Sequence, residues 1–311
     1  MLKQLLTVTA VALFACGIAS AAKTTTYTNT TAGDWTALGN WDNGLPAAGD
    51  TAVISEDVDF TSFDGATFGV LNSDAGSINI DFEGSGDISV DNNGSLATIT
   101  SRSLDIGVAN DDDVDLTFAD DLTITVGTAG GGNRNLIVKG SGSSITGPGT
   151  LTVLRPEDSG STLTMQAGGT ITVGTLDVSG VSNIKFNGTS GAFVGGGTIV
   201  FGGNTTMDAF SGGDYDSQFS TDNDWEMDAS YDLFQDDLGE TIEIGMWKVG
   251  STQLPIGTYN ASSATIGDAN FATIFTTGAT NQVKVTEVPE PATMVLLGLG
   301  GVGLLLRRRR G

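Results

Sequence analysis

Polar and apolar residues alternate strictly in short runs along most of the chain. Ser77-Ile78-Asn79-Ile80-Asp81-Phe82, Asp87-Ile88-Ser89-Val90 and Asp121-Leu122-Thr123-Ile124-Thr125-Val126 follow the rule, as do residues 150–153, 162–165, 170–173 and 198–201. Alternation over four to six residues predicts strands with one buried face. Turn signals separate the runs: Gly, Ser, and the Asn-Gly pairs Asn93-Gly94 and Asn187-Gly188. Further on, residues 240–249 and 283–286 read as strands, and Leu254 to Tyr259 as a turn entering another. No window of ten or more residues before residue 288 carries a helical stripe, so the chain is expected to be all-β.

Short strands at regular spacing suit either a β-sandwich or jelly roll or the stacked coils of a solenoid. Gly-Thr-Leu-Thr-Val at 149–153 and Gly-Thr-Ile-Thr-Val at 169–173 suggest one coil's spacing. Residues 50–205 hold eight Phe and no Trp or Tyr, which suits a narrow interior. The expectation is a right-handed parallel β-helix over 50–205, with about seven coils of roughly 20 residues. A β-rich subregion would follow over 206–287.

The segment before this body is different. Trp35, Asn40-Trp41-Asp42-Asn43-Gly44-Leu45-Pro46 and Gly49-Asp50-Thr51-Ala52-Val53-Ile54 resemble the opening module of exported β-helical proteins, including autotransporter passengers. The resemblance implies an N-terminal cap over 22–49. Two Trp can close the end of a coil stack, and Pro46 blocks edge pairing. The competing reading is a Trp platform for stacking sugar rings.

Both termini carry sorting chemistry. Lys3, an apolar core from Leu5 to Ala15 and the small residues Ala19-Ser20-Ala21 form a signal peptide over 1–21, with cleavage after Ala21. Cys16 is the chain's only cysteine and falls inside it, so a secreted body would have none. At the other end, Val288-Pro289-Glu290-Pro291 precedes the apolar run 292–306, and Arg307, Arg308, Arg309 and Arg310 follow. This order resembles the PEP-CTERM sorting tail of Gram-negative bacteria. The resemblance implies a membrane enzyme, exosortase, that recognises the Pro-Glu-Pro segment at the outer face of the inner membrane. Prolines on both sides of Glu290 keep that segment extended. The apolar run is a short transmembrane helix of about 22 Å at ~1.5 Å per residue, and the arginines hold its end on the cytoplasmic side. Destination follows from the same resemblance: the cell surface or extracellular polysaccharide.

Charge narrows the partners. Removing Lys3 and the four tail arginines leaves 8 basic residues against 37 acidic ones. Nucleic acid is excluded as a partner, because phosphate binding requires basic patches. The chain has no histidine. With no cysteine in the secreted body either, Ser-His-Asp and Cys-His triads and thiolate or imidazole zinc sites drop out. Asp158-Ser159-Gly160 resembles half of an aspartic protease dyad but has no second copy. The middle of the chain offers Arg102, Arg134, Lys139, Arg155 and Lys185 as bases for a polysaccharide lyase, without clustering in sequence.

Two further features are candidates for binding. Asp111-Asp112-Asp113 with Asp115, and Asp214, Asp216, Asp222, Asp224 and Asp228, are dense acidic groups. Ca²⁺ is the ion that such oxygen-rich segments would take, with Asp111, Asp113, Asp222 and Asp224 as candidate ligands. The Thr-x-Thr pairs at 123/125, 150/152, 162/164 and 170/172 place hydroxyls about 7 Å apart on a strand face and resemble ice-binding surfaces. The sequence thus points to a non-enzymatic, acidic structural protein of the cell surface. A carbohydrate-binding or carbohydrate-active β-helix is the alternative, and an ice-binding protein a lesser one.

Overall fold

Strands follow one another in a cycle of three, and each pairs in parallel with the strand one cycle later. The computed structural model describes residues 21–287 except 30–32, 74–77, 128–133, 155–160, 188–191, 203–204 and 210–212. Those residues form a β-solenoid of about eight turns. A parallel ladder suits alternating sequences of this kind: every inward side chain lies over its counterpart one coil away, and every backbone group outside the corners finds a partner.

The three sides of the stack differ in composition. The first, called here the threonine face, runs through Thr24–Tyr27, Thr51–Ile54, Val70–Ser73, Ala97–Ser101 and Leu122–Val126. It continues through residues 150–154 and 175–177, then Gly197–Phe201, Asn223–Met227 and Trp247–Val249. The second, the aspartate face, comprises Val58–Phe60, Asn79–Phe82, Ser103–Ile106, Arg134–Lys139, Ser161–Gln166, Asn183–Asn187 and Thr206–Asp208. The third holds Ala66–Phe68, Ser85–Val90 and Asp113–Phe118, then residues 144–147 and 170–173. Single bridges at Phe193 and Phe219 extend it.

Inward columns form the core. Ile99, Ile124 and Val153 stack on the threonine face, and Leu104, Leu136, Leu163 and Ile184 on the aspartate face; all are fully buried. Each such side chain contributes about 1.5–3 kcal/mol by leaving water, yet no coil can bury its own apolar edge without a neighbour. Aromatic residues gather at the ends. Trp35 and Trp41 lie 4.7 Å apart edge to face, and Trp41 Nε1 donates to Trp35 O at 2.8 Å. Both are buried, at 2% and 5% exposure, so they close the stack and offer no open platform to a sugar ring. At the far end Trp225, Trp247, Tyr259, Phe271 and Phe275 pack together. A three-stranded sheet of Thr241–Ile244, Gln282–Val285 and Gly257–Tyr259 and the one-turn helix Phe271–Ile274 complete that end.

Several expectations change in detail. Coils span 21 residues from Leu163 to Ile184 but 32 from Leu104 to Leu136, because corners absorb extra residues without disturbing the ladder. The two similar pentapeptides are not one coil apart: 149–153 lies on the threonine face, whereas 170–173 pairs with 144–147 on the third. Their likeness reflects a shared strand pattern and not a shared place. Residues 240–249 are two strands in different sheets, broken where Gly245 N–H bonds Asn223 O at 2.8 Å and Met246 N–H bonds Asp224 Oδ1 at 2.8 Å. The Asn93-Gly94 turn is as expected, with both residues at positive φ (53° and 77°).

Candidate functional site

Outward positions carry the chemistry, and the register decides which of them meet. On the aspartate face Asp59, Asp81 and Asp105 occupy the same column on three successive coils. The column arises from a tripeptide repeated at the interval of the coils: Val58-Asp59-Phe60, Ile80-Asp81-Phe82 and Leu104-Asp105-Ile106. The flanking apolar residues are drawn inward, and the aspartates are left on top of one another about 4.8 Å apart.

Such stacking is costly for three carboxylates. Burial among the neighbouring strands pushes Asp81 up to about 8, reinforced by the charge of Asp105 and by a hydrogen bond with Asp59. Burial likewise pushes Asp105 up to about 6, with the Ser103 hydroxyl and the Lys139 ammonium acting in the opposite direction. Ser103 Oγ is 3.3 Å from Asp105 Oδ1. A carboxyl that holds its proton at neutral pH, next to one of lower pKa, is a poised acid and base.

Basic residues from the middle of the chain come to this same side. Arg102 Nε donates to Asn79 Oδ1 at 3.0 Å, Lys185 Nζ lies 3.6 Å from Asp208 Oδ2, and Arg134 and Lys139 begin and end one strand of the face. Arg155 and Asp158-Ser159-Gly160 lie outside the described residues. No clustering of the bases is visible in sequence because the coils differ in length; register brings them to one face. The aspartate column was also missed, and the apolar-Asp-apolar repeat is the signal that would have found it.

The threonine face is the opposite case. Its two outward columns run Thr24, Thr51, Val70, Thr98, Thr123, Thr152 and Thr26, Val53, Asn72, Thr100, Thr125, Leu154. Neither contains a charge over these six strands, and Asp177 is the first to interrupt them. Of the four Thr-x-Thr pairs read from the sequence, only 123/125 and 150/152 belong here. Thr162 and Thr164 lie on the aspartate face, and Thr170 and Thr172 on the third. Thr98 and Thr100 belong to the array but were not singled out by the sequence pattern.

The acidic loops are arranged for local structure. Asp112 is buried and accepts the N–H groups of Val108 and Ala109 at 2.6 and 2.8 Å. Asp111 is exposed in that turn, and Asp113 opens a third-face strand. Asp222 sits in a later turn, and Asp224 caps the Met246 N–H; burial raises the Asp224 carboxyl against that bond. The pair at 111/113 and the pair at 222/224 are therefore several coils apart, not one centre. Among the described residues no group of three or more Asp, Glu, His or Cys side chains converges as a metal site.

Val288, Pro289, Glu290, Pro291, the 292–306 run, Arg307 to Arg310 and the signal residue Ala19 lie outside the described residues; Ala21 is exposed at their edge. No helix among the described residues is long and apolar enough to cross a membrane. Residues 287–310 match the family model of the PEP-CTERM protein-sorting motif. No curated protein and no solved structure matches the chain. The motif supports export, a membrane-anchored precursor and sorting to the cell surface with exosortase as the processing partner.

Proposed function

We propose that this chain is a structural protein of the cell surface or extracellular polysaccharide matrix, delivered there by its C-terminal sorting motif. The observation that carries the reading is the joining of that motif to a solenoid closed at both ends. A capped stack is a rigid spacer that does not add further coils at its edges, and a net charge of −24 keeps it hydrated and dispersed. Replacing Pro289 and Pro291 by Ala should leave full-length precursor in the inner membrane, while the wild type fractionates with extracellular polysaccharide. Release of mature-size protein from the double variant would overturn the sorting step. Wild-type protein found only in the medium would overturn the matrix assignment.

A second reading rests on the aspartate column. Glycoside hydrolysis uses two carboxyl groups about 5–5.5 Å apart for retention or about 6.5–9.5 Å apart for inversion. Strand spacing sets the backbones of neighbours in the column about 4.8 Å apart and those of Asp59 and Asp105 about 9.6 Å apart, in the span that these two geometries require. Asp81 would supply the proton to the leaving oxygen and a flanking carboxylate the nucleophile or base. Depolymerisation of a polysaccharide by the purified protein, abolished in Asp81→Asn, would establish this reading. No turnover across a panel of neutral and acidic polysaccharides would dismiss it.

A further inference from the structure

We propose that the threonine face is a docking surface for the crystal lattice of ice. This goes beyond the matrix role and is independent of it. Thr98, Thr100, Thr123, Thr125 and Thr152 form adjacent outward rows on three coils. Strand spacing fixes one repeat at about 4.8 Å, and the two-residue step fixes the other at about 6.7 Å. Beneath them the fully buried Ile99, Ile124 and Val153 hold the strands in place.

Three observations select the partner. First, the hydroxyls of these five threonines have no hydrogen-bond partner among the described residues. Several on the other faces are tied down: Thr162 bonds Asn135 and Thr164, Ser144 bonds Asp115, and Thr117 bonds Ile88 O at 3.2 Å. Thr170 and Thr172 on the third face are also free among the described residues, but the strands of that face carry Asp113 and Asp115. Second, the face carries no charge through six strands of a chain whose net charge is −24. A charged partner gains nothing there, whereas an uncharged lattice meets no desolvated carboxylate. Third, every described Trp and Phe is buried. A dissolved sugar chain would therefore exchange water bonds for hydroxyl bonds of equal worth, without aromatic stacking to favour it. A second copy of the chain is excluded by size. Six strands about 4.8 Å apart span about 24 Å, and with two outward columns about 6.7 Å apart the uncharged patch covers a few hundred Å² at most, short of the ~800 Å² per partner of a stable interface. A flat, uncharged partner that repeats in two directions and both donates and accepts hydrogen bonds is solid water.

The test is partition of the purified exported protein into slowly grown polycrystalline ice. The wild type should enter the ice, and a Thr98→Lys/Thr123→Lys/Thr152→Lys variant should be depleted from it at least tenfold. Thr117→Lys/Thr146→Lys, on the third face, should partition as wild type. Thr123→Lys alone, shown by thermal melting to be folded as the wild type, should already reduce uptake and guards against misfolding of the triple variant. Exclusion of the wild type from ice, or equal uptake of the triple variant, would overturn the proposal. So would binding to crystalline cellulose or chitin without binding to ice, which would make the partner a polysaccharide lattice.

Discussion

The threonine and aspartate faces are built by the same coils and obey the same register, yet one has no charge over six strands and the other stacks three carboxylates. The difference does not lie in the backbone or the core, where both sides present fully buried aliphatic columns. It lies in what recurs at outward positions after one coil. Thr over Thr costs little, since β-branched residues suit a strand surface. Asp over Asp sets carboxyls into a partly buried column, and burial first, with the neighbouring charges adding to it, makes Asp81 and Asp105 retain protons that free aspartate would lose. A solenoid thus amplifies single residues: whatever is repeated becomes a column, with the properties of an array and not of a side chain.

The comparison predicts its own hierarchy of effects. The core shared by both faces should dominate. Leu136→Ala, in the fully buried column under the aspartates, should cost about 2–5 kcal/mol in urea unfolding. Thr123→Ala, outward on the other face, should stay within ~0.5 kcal/mol. Equal costs would break the claim that stability resides in the shared core and not at outward positions.

The next effect concerns protons. Asp81 and Asp105 have folded-state pKa values above the unfolded value of about 3.9, so the folded chain binds more protons than the unfolded one. Stability should therefore fall as pH rises from about 4, through the Asp105 range near 6, and level off above the Asp81 value near 8. Asp81→Asn should raise Tm at pH 8, by ~2–4 °C for each kcal/mol of buried charge and repulsion relieved, and leave Tm at pH 4 almost unchanged. The threonine-face variant Thr123→Ala should keep the wild-type pH profile. An unaltered pH profile in Asp81→Asn would show that the column does not titrate as a unit.

The smallest effect sharpens the picture within one face. Lys139 lowers the proton affinity of Asp105, so Lys139→Gln should move the Asp105 titration upward in carboxyl NMR. Tm at pH 4 should not change. No movement would mean that the ammonium is turned away from the column.

Much of the architecture could be read from the sequence. Period-two runs point to the strands, and the Trp-rich start to the buried pair of Trp35 and Trp41 that packs at that end. Coil pairing was harder, because a local likeness such as 149–153 and 169–173 does not say which of three sides a strand occupies. The decisive repeat was weaker to the eye: an Asp between two apolar residues, recurring after 22 and then 24 residues. Unequal corners obscure such intervals, and so the aspartate column and the Thr98–Thr100 row became visible only once the register was known.

The ladder also sets the order in which the chain can fold. Each aspartate-face strand finds its partner 21 to 32 residues away in a chain of 311, a separation of about 0.1 of the length or less. That is in the range of helical proteins and below the ~0.16–0.22 of ordinary β-sandwiches and barrels. Little loop entropy has to be lost before each coil is rewarded. A chain threaded through a membrane amino end first can therefore wind up coil by coil as it emerges. The Trp35–Trp41 pair comes through early to found the stack, and the Trp247 cluster closes it just before the sorting motif arrives.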